Sequence, residues 1–183
     1  MRRSISQYLT VTGTYWGFTL SDGALRILVL FHFFKLGYSP FTLALLFLMY
    51  EVAGIIANLG GGWLATRFGI PRMLLFGIAM QILGLMFLSY LDPTFGPVLS
   101  VIWVVVAQGI AGLAKDITKT ASKSAIKVIK IDEGEGLFRW VAWFTGSKNA
   151  MKGVGFFLGG VMLTTIGFRN GLWLMAGLLG LLA

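Results

Sequence analysis

Residues 73–91 and 98–114 contain no charged side chain. A charge-free apolar run of about 18 residues reads as a helix that crosses a bilayer. Two such runs in succession constrain this chain more than any other feature. The composition agrees: of 183 residues, 57% are hydrophobic and 12% are charged, and the mean hydropathy is +0.83. Soluble domains carry roughly 25% charged residues, so a soluble helical protein of this length would lack the charge to cover its surface. The expected class is all-α and integral to a membrane.

Turn-forming strings divide the chain into six segments. "KLGYSP", "TRFGIPR", "DPTFGP", "KIDEGEG" and "GFRNG" separate helices expected at about 8–34, 41–65, 72–91, 98–127, 137–166 and 172–183. They form one six-helix transmembrane domain over 1–183. Arg2 and Arg3 precede an apolar stretch, as in a signal peptide. However, Thr10, Thr12, Gly13 and Thr14 interrupt that stretch and no small-residue cleavage pattern follows, so the first helix is retained. Residues 172–183 make only about 18 Å of helix, against roughly 30 Å of bilayer core. This points to a chain cut within its sixth helix.

Basic residues set the orientation. With the N-terminus in the cytoplasm, Arg2, Arg3, Arg67, Arg72, Lys123, Lys127, Lys130 and Arg139 lie inside, and only Lys35 and Arg169 lie outside. Much of the formal charge of +8 is therefore topological and does not call for a nucleic-acid partner. The lipid bilayer is the expected partner, with anionic headgroups available to the cytoplasmic bases. The absence of cysteine excludes disulfides and thiolate chemistry. With His32 the only histidine and no glycine-flanked serine nucleophile, no metal site, cofactor or enzymatic activity is expected.

Arg26, Lys115, Lys119, Lys148 and Lys152 remain, in or near helices one, four and five. A lysine at the bilayer centre costs about 2.5–3.5 kcal/mol on insertion scales, so these positions need a reason. In helix one, Tyr8, Thr12, Tyr15, Thr19, Asp22 and Arg26 fall on one face. Asp22 and Arg26 are four residues apart and can pair. Helix four repeats the pattern with Gln108, Gly112, Lys115, Lys119 and Ser122, with Asp116 beside them and within reach of Lys119. Helix five has Thr145, Lys148, Lys152, Gly155 and Gly159, with Asn149 next to the lysines.

Three polar stripes suggest a shared wet interior. Five bases set against Asp22, Asp116 and Glu51 leave a surplus of positive charge, which favours an anion. The substrate-binding candidates are Asp22, Arg26, Lys115, Asp116, Lys119, Lys148, Asn149 and Lys152. Asp22 and Glu51 are candidate proton carriers.

Structural readings stand beside these. Asp22 and Arg26 also read as a pair that locks helix one. Lys115 and Lys119 also read as side chains snorkelling from the cytoplasmic end. Glu51 also reads as a protonated hydrogen-bond donor, and His32 as an interfacial structural residue. Gly153, Gly155, Gly159 and Gly160 read as close-packing positions.

"GGWLATRFGIPR" places Gly62, Arg67, Gly69 and Arg72 in the order of the cytoplasmic loop motif of the major facilitator superfamily. It departs at Thr66, where that family usually has Asp, so the latch that the Asp helps to form is not implied here. The chain resembles the N-terminal half of such a twelve-helix transporter, with the C-terminal half absent.

"YLTVTGTYWGFTLSDGALRILVLFHF", "GYSP", "AGLAKDITKTASKSAIK" and "FTGSKNAMKGVGFFLGG" are similar to the organoarsenical efflux permeases of that superfamily. The resemblance implies a bacterial inner-membrane exporter of a small organic anion, 1-arseno-3-phosphoglycerate, working by proton antiport for arsenate resistance. It also implies a functional link to a glyceraldehyde-3-phosphate dehydrogenase. The charges alone also suit another phosphorylated or organic anion. A non-transporting membrane scaffold or sensor would use the same charges only as inter-helix pairs.

Overall fold

The computed structural model describes residues 2–128 and 135–182, with side-chain surroundings throughout except at 2–5, 62, 65–66, 127–128 and 135–138. The side chains of Arg2, Arg3, Thr66 and Lys127, residue Lys130 and most of the "KIDEGEG" loop lie outside the described residues. The order of elements is α1 (Arg2–Lys35), α2 (Pro40–Phe68), α3 (Ile70–Ser89), α4 (Pro97–Val128), α5 (Glu135–Thr165) and α6 (Gly167–Leu182). No strand occurs among the described residues. Four helices, α1 to α4, are long and apolar enough to cross a membrane. α5 has the length, 31 residues, or about 46 Å at 1.5 Å per residue. Lys148 and Lys152 dilute its apolar character, while α6 has 16 residues. By length and composition, then, four of the six expected spans qualify.

The breakers act as proline and glycine chemistry dictates. Pro40 and Pro97 open α2 and α4, and Pro71 sits in the first turn of α3, positions where a missing N–H costs nothing. Gly37, Gly69 and Gly167 take left-handed φ values of 83°, 79° and 82°, which L side chains disfavour. One turn is shorter than expected. "GFRNG" is not a loop: Gly167 alone reverses the backbone, and residues 168–171 already belong to α6. In the α3–α4 turn, Thr94 donates its backbone N–H (2.8 Å) and its hydroxyl (2.7 Å) to Asp92. These bonds hold that carboxyl below its usual range.

Leu25, Leu28, Leu46, Ile78, Leu85, Val104, Leu172 and Met175 form a core shared by five helices. Large apolar side chains also cover the outside, among them Leu48, Ile55, Leu59, Phe76, Leu83, Val98 and Phe157. An apolar exterior of this extent suits a lipid surround. His32, Leu36, Tyr38, Asp92, Phe168 and Arg169 line one cavity of about 710 Å³, so the α1–α2, α3–α4 and α5–α6 turns gather at one end of the bundle.

The packing has an internal symmetry. α4 lies along α2 and α3, α1 lies along α5 and α6, α1 meets α4, and α3 meets α6. Exchanging α1 with α4, α2 with α5 and α3 with α6 carries these principal contacts onto themselves. Both of the closest interfaces are made at glycines. Between α2 and α4, a Cβ on Gly112 would strike the Tyr50 backbone, and one on Gly54 would strike the Asp116 carboxylate. Between α1 and α5, a Cβ on Gly23 would meet the Lys152 carbonyl oxygen at 2.8 Å, and one on Gly155 would strike the Leu20 backbone.

Gly23 and Gly112 lie on the exchanged helices α1 and α4, and Gly54 and Gly155 on α2 and α5. Arg26 and Lys115 follow the first pair by three residues, in "GALR" and "GLAK". Glu51 and Lys152 precede the second pair by three, in "EVAG" and "KGVG". The two three-helix units, α1–α3 and α4–α6, begin at opposite ends of the bundle and so run in opposite senses.

Gly112→Ala should force α4 away from α2 and destabilise the fold by about 1–3 kcal/mol, the usual cost of overpacking. Gly109→Ala, one turn away and with nothing within 4 Å of its added methyl, should be neutral or stabilising by up to about 1 kcal/mol. Thermal unfolding in detergent compares the two.

Candidate functional site

Close helix contact at these glycines brings the polar stripes together. From α1, Asp22 is buried at 4% exposure and accepts a hydrogen bond from the Tyr50 hydroxyl on α2. The guanidinium of Arg26 lies 4.1 Å from the centroid of the Tyr50 ring. Its Nη2 donates to Oε1 of Glu51 at 2.6 Å. From α4, Nζ of Lys115 lies 4.2 Å from the same ring centroid. It reaches Oε2 of Glu51 at 3.3 Å and Oδ2 of Asp116 at 3.5 Å. Oδ1 of Asp116 accepts from Lys119 at 2.6 Å and from Nδ2 of Asn58 at 3.0 Å. The Thr120 hydroxyl donates to Oδ1 of Asn58 at 3.4 Å. The result is one continuous network through α1, α2 and α4.

The network differs from the sequence expectation in two places. Arg26 does not pair with Asp22 along its own helix. It crosses to Glu51, and Asp22 takes a neutral hydroxyl in place of a cation. The reason is reach: α2 packs close enough to offer both a hydroxyl and a carboxylate, so each α1 side chain finds a partner off its helix. Nor is Glu51 isolated on α2, because it bridges two cations from two other helices. The expected pairing of Asp116 with Lys119 is present.

Exposure sorts the charges. The Asp116 side chain is 4% exposed, whereas Arg26 is 23%, Lys115 21%, Lys119 33% and Glu51 56% exposed. Buried acids lie behind, with the cations and Glu51 in front. On α5, Lys148 and Lys152 are half-buried, and no carboxylate pairs with either among the described residues. Lys152 lies within Coulomb range of Asp22, and Lys148 of Lys119 and Lys123, so α5 turns its charge toward the same region. Asn149 is exposed and has no hydrogen bond to the network. Gly155 and Gly159 press on the α1 backbone at Leu20 and Ala24, which seats the lysines beside α1. Chemically, this is a cation-rich face with fixed backing acids, suited to holding an oxyanion.

The remaining predicted residues lie elsewhere. Arg67 stacks over Trp63 (5.3 Å) and Phe68 (5.9 Å). Gly69 makes the α2–α3 turn, and Arg72 borders an apolar hollow of about 280 Å³ with Leu64, Phe68, Met73 and Phe76. Gly62 lies outside the described side-chain surroundings. His32 stacks on Phe168 with ring centroids 4.0 Å apart, a structural role at the end of the bundle.

Tyr50, Asn58 and Thr120 carry no charge, so charge placement alone does not mark them. The stripe Tyr50, Gly54, Asn58 and Gly61, spaced by four, four and three, is the uncharged signal that marks this face of α2. Comparison of the chain with protein families, with curated proteins and with solved structures finds no match in any of the three.

Tyr50→Phe should keep the ring under both cations but leave the buried Asp22 oxygen without its donor. A destabilisation of about 1–3 kcal/mol is expected in thermal unfolding. Because the chain has no native cysteine, single cysteines can be read cleanly. Cysteine at 148 or 152 should react with a water-soluble thiol reagent, and cysteine at the buried Ala24 should not; equal protection at all three would mean that no water reaches the α5 lysines.

Proposed function

We propose that this chain is a membrane transport protein that binds and moves a small polyanion. In this reading it is of the major facilitator type, with its N-terminus in the cytoplasm of a bacterial inner membrane. The observation that carries the reading is the uncompensated charge at the site. Arg26, Lys115 and Lys119 are held against Glu51 and Asp116, while Lys148 and Lys152 stand nearby without a carboxylate partner among the described residues. Charges at membrane depth are expensive and mark ion or substrate pathways by default. A surplus of cations on a partly open face selects anions.

The exchange symmetry of the packing supports a carrier in particular. Inverted repeats put the binding site where the repeats meet, near mid-membrane. Here Arg26 from one three-helix unit and Lys115 from the other converge on one carboxylate. The cargo favoured by the resemblance is 1-arseno-3-phosphoglycerate, for which phosphoglycerate is a usable analogue.

Proteoliposomes containing the protein should accumulate labelled 3-phosphoglycerate by counterflow. Lys148→Ala with Lys152→Ala should lower that rate at least tenfold, with the fold intact by thermal unfolding. Undiminished transport by the double variant would remove the α5 lysines from the site. Arg67→Ala, remote from the network, should leave binding unchanged.

A further inference from the structure

The most exposed charged member of the network is also its most unusual. Glu51 presents one carboxylate oxygen to Arg26 at 2.6 Å and the other to Lys115 at 3.3 Å. Two oxygens of a phosphate or arsenate ester would make the same two contacts. The cations do not depend on Glu51 for their position, because both lie against the Tyr50 ring, at 4.1 and 4.2 Å from its centroid. That ring is tied in turn to buried Asp22. The two-cation cradle is therefore built from behind, and Glu51, 56% exposed, fills it from the open side.

We infer that Glu51 is a built-in competitor for the anion site, displaced when an oxyanion ester takes its place on Arg26 and Lys115. The inference rests on the anion-transport reading above and assigns a site and a coupling group within it. The proton balance follows. Glu51 is ionised while it bridges two cations. Once displaced, it is a carboxylate without them and beside the bound ester's own negative charge, and a neighbouring like charge disfavours the ionised form. It takes one proton from solvent and becomes a neutral acid.

The groups facing it are Asp22 and Arg26 from α1, Tyr50 on its own helix, and Lys115, Asp116 and Lys119 from α4. Arg26 and Lys115 are then occupied by the ligand. Asp116 retains Lys119, and Asp22 retains the Tyr50 hydroxyl, so none of these replaces the lost cations. Anion and proton therefore bind together at this site. That sign is opposite to the one an antiporter requires, where each ligand expels the other, so antiport would need a second titrating group.

The test uses the full chain in detergent, with 3-phosphoglycerate and inorganic phosphate as probes. Calorimetry at pH 7 in buffers of different ionisation enthalpy counts the protons exchanged. Wild-type protein should take up a proton, approaching one per anion bound. Glu51→Gln should bind 3-phosphoglycerate at least tenfold more tightly, with the uptake abolished. Wild-type binding with no uptake, or with release, overturns the inference and leaves the anion-carrier reading standing. Glu51→Gln binding that is equal to or weaker than wild type does the same. The wild-type proton count decides the matter even if the variant fails to fold. Absence of any anion binding by wild type overturns the carrier reading itself.

Discussion

A charged group in a low-dielectric surround must find a partner, and the partners available here lie on other helices. That requirement organises the interior. Asp22 is buried where an isolated carboxylate could not stay ionised, and the Tyr50 hydroxyl answers it from α2. The same tyrosine ring seats Arg26 and Lys115. Those cations meet Glu51, and Lys115 leads on to Asp116, Lys119 and Asn58. Removing one partner from such a network strands a buried charge, which is costlier than the pair is stabilising. Helices α1, α2 and α4 are therefore fastened in one register by polar contacts, in a place where apolar packing alone would tolerate sliding.

Glycine makes that fastening possible. Side-chain charges bridge three helices only if the backbones approach closely, and Gly112, Gly54, Gly23 and Gly155 remove the atoms that would hold them apart. The same device appears at the α2–α4 and α1–α5 interfaces, with a cation three residues after Gly112 and after Gly23. One consequence is that packing and binding are not separable in this molecule. The residues that allow α4 to lie on α2 also set the distance between Lys115 and Glu51.

The helices were largely legible in the sequence because their cause is local. Charge-free runs, and Pro40, Gly37, Gly69, Pro71 and Pro97 at their ends, place each helix to within a few residues without reference to the rest of the chain. The exceptions are instructive. "GFRNG" has the composition of a loop, yet one left-handed glycine suffices to turn the backbone there, so α6 begins five residues before the expected position. α1 extends further toward the N-terminus than its apolar pattern does, since a helix propagates through Ser4 to Gln7 without an apolar face to bury.

The site was legible only in part. Helical spacing was enough to group Asp22 with Arg26, Lys115 with Lys119, and Lys148 with Lys152, because residues three or four apart share a face whatever surrounds the helix. By itself, then, the sequence determined the helices, the stripes and the surplus of positive charge. It could not say which stripe faces which, since that depends on helix–helix distance and rotation, set by glycines from separate segments. Tertiary structure alone sent Arg26 to Glu51 instead of Asp22, put Tyr50 at the centre, and turned a single acid on α2 into a bridge between two cations. Partner choice in an apolar medium is decided by proximity in space, and the contacts that create this proximity join residues 25 to 64 positions apart in the chain.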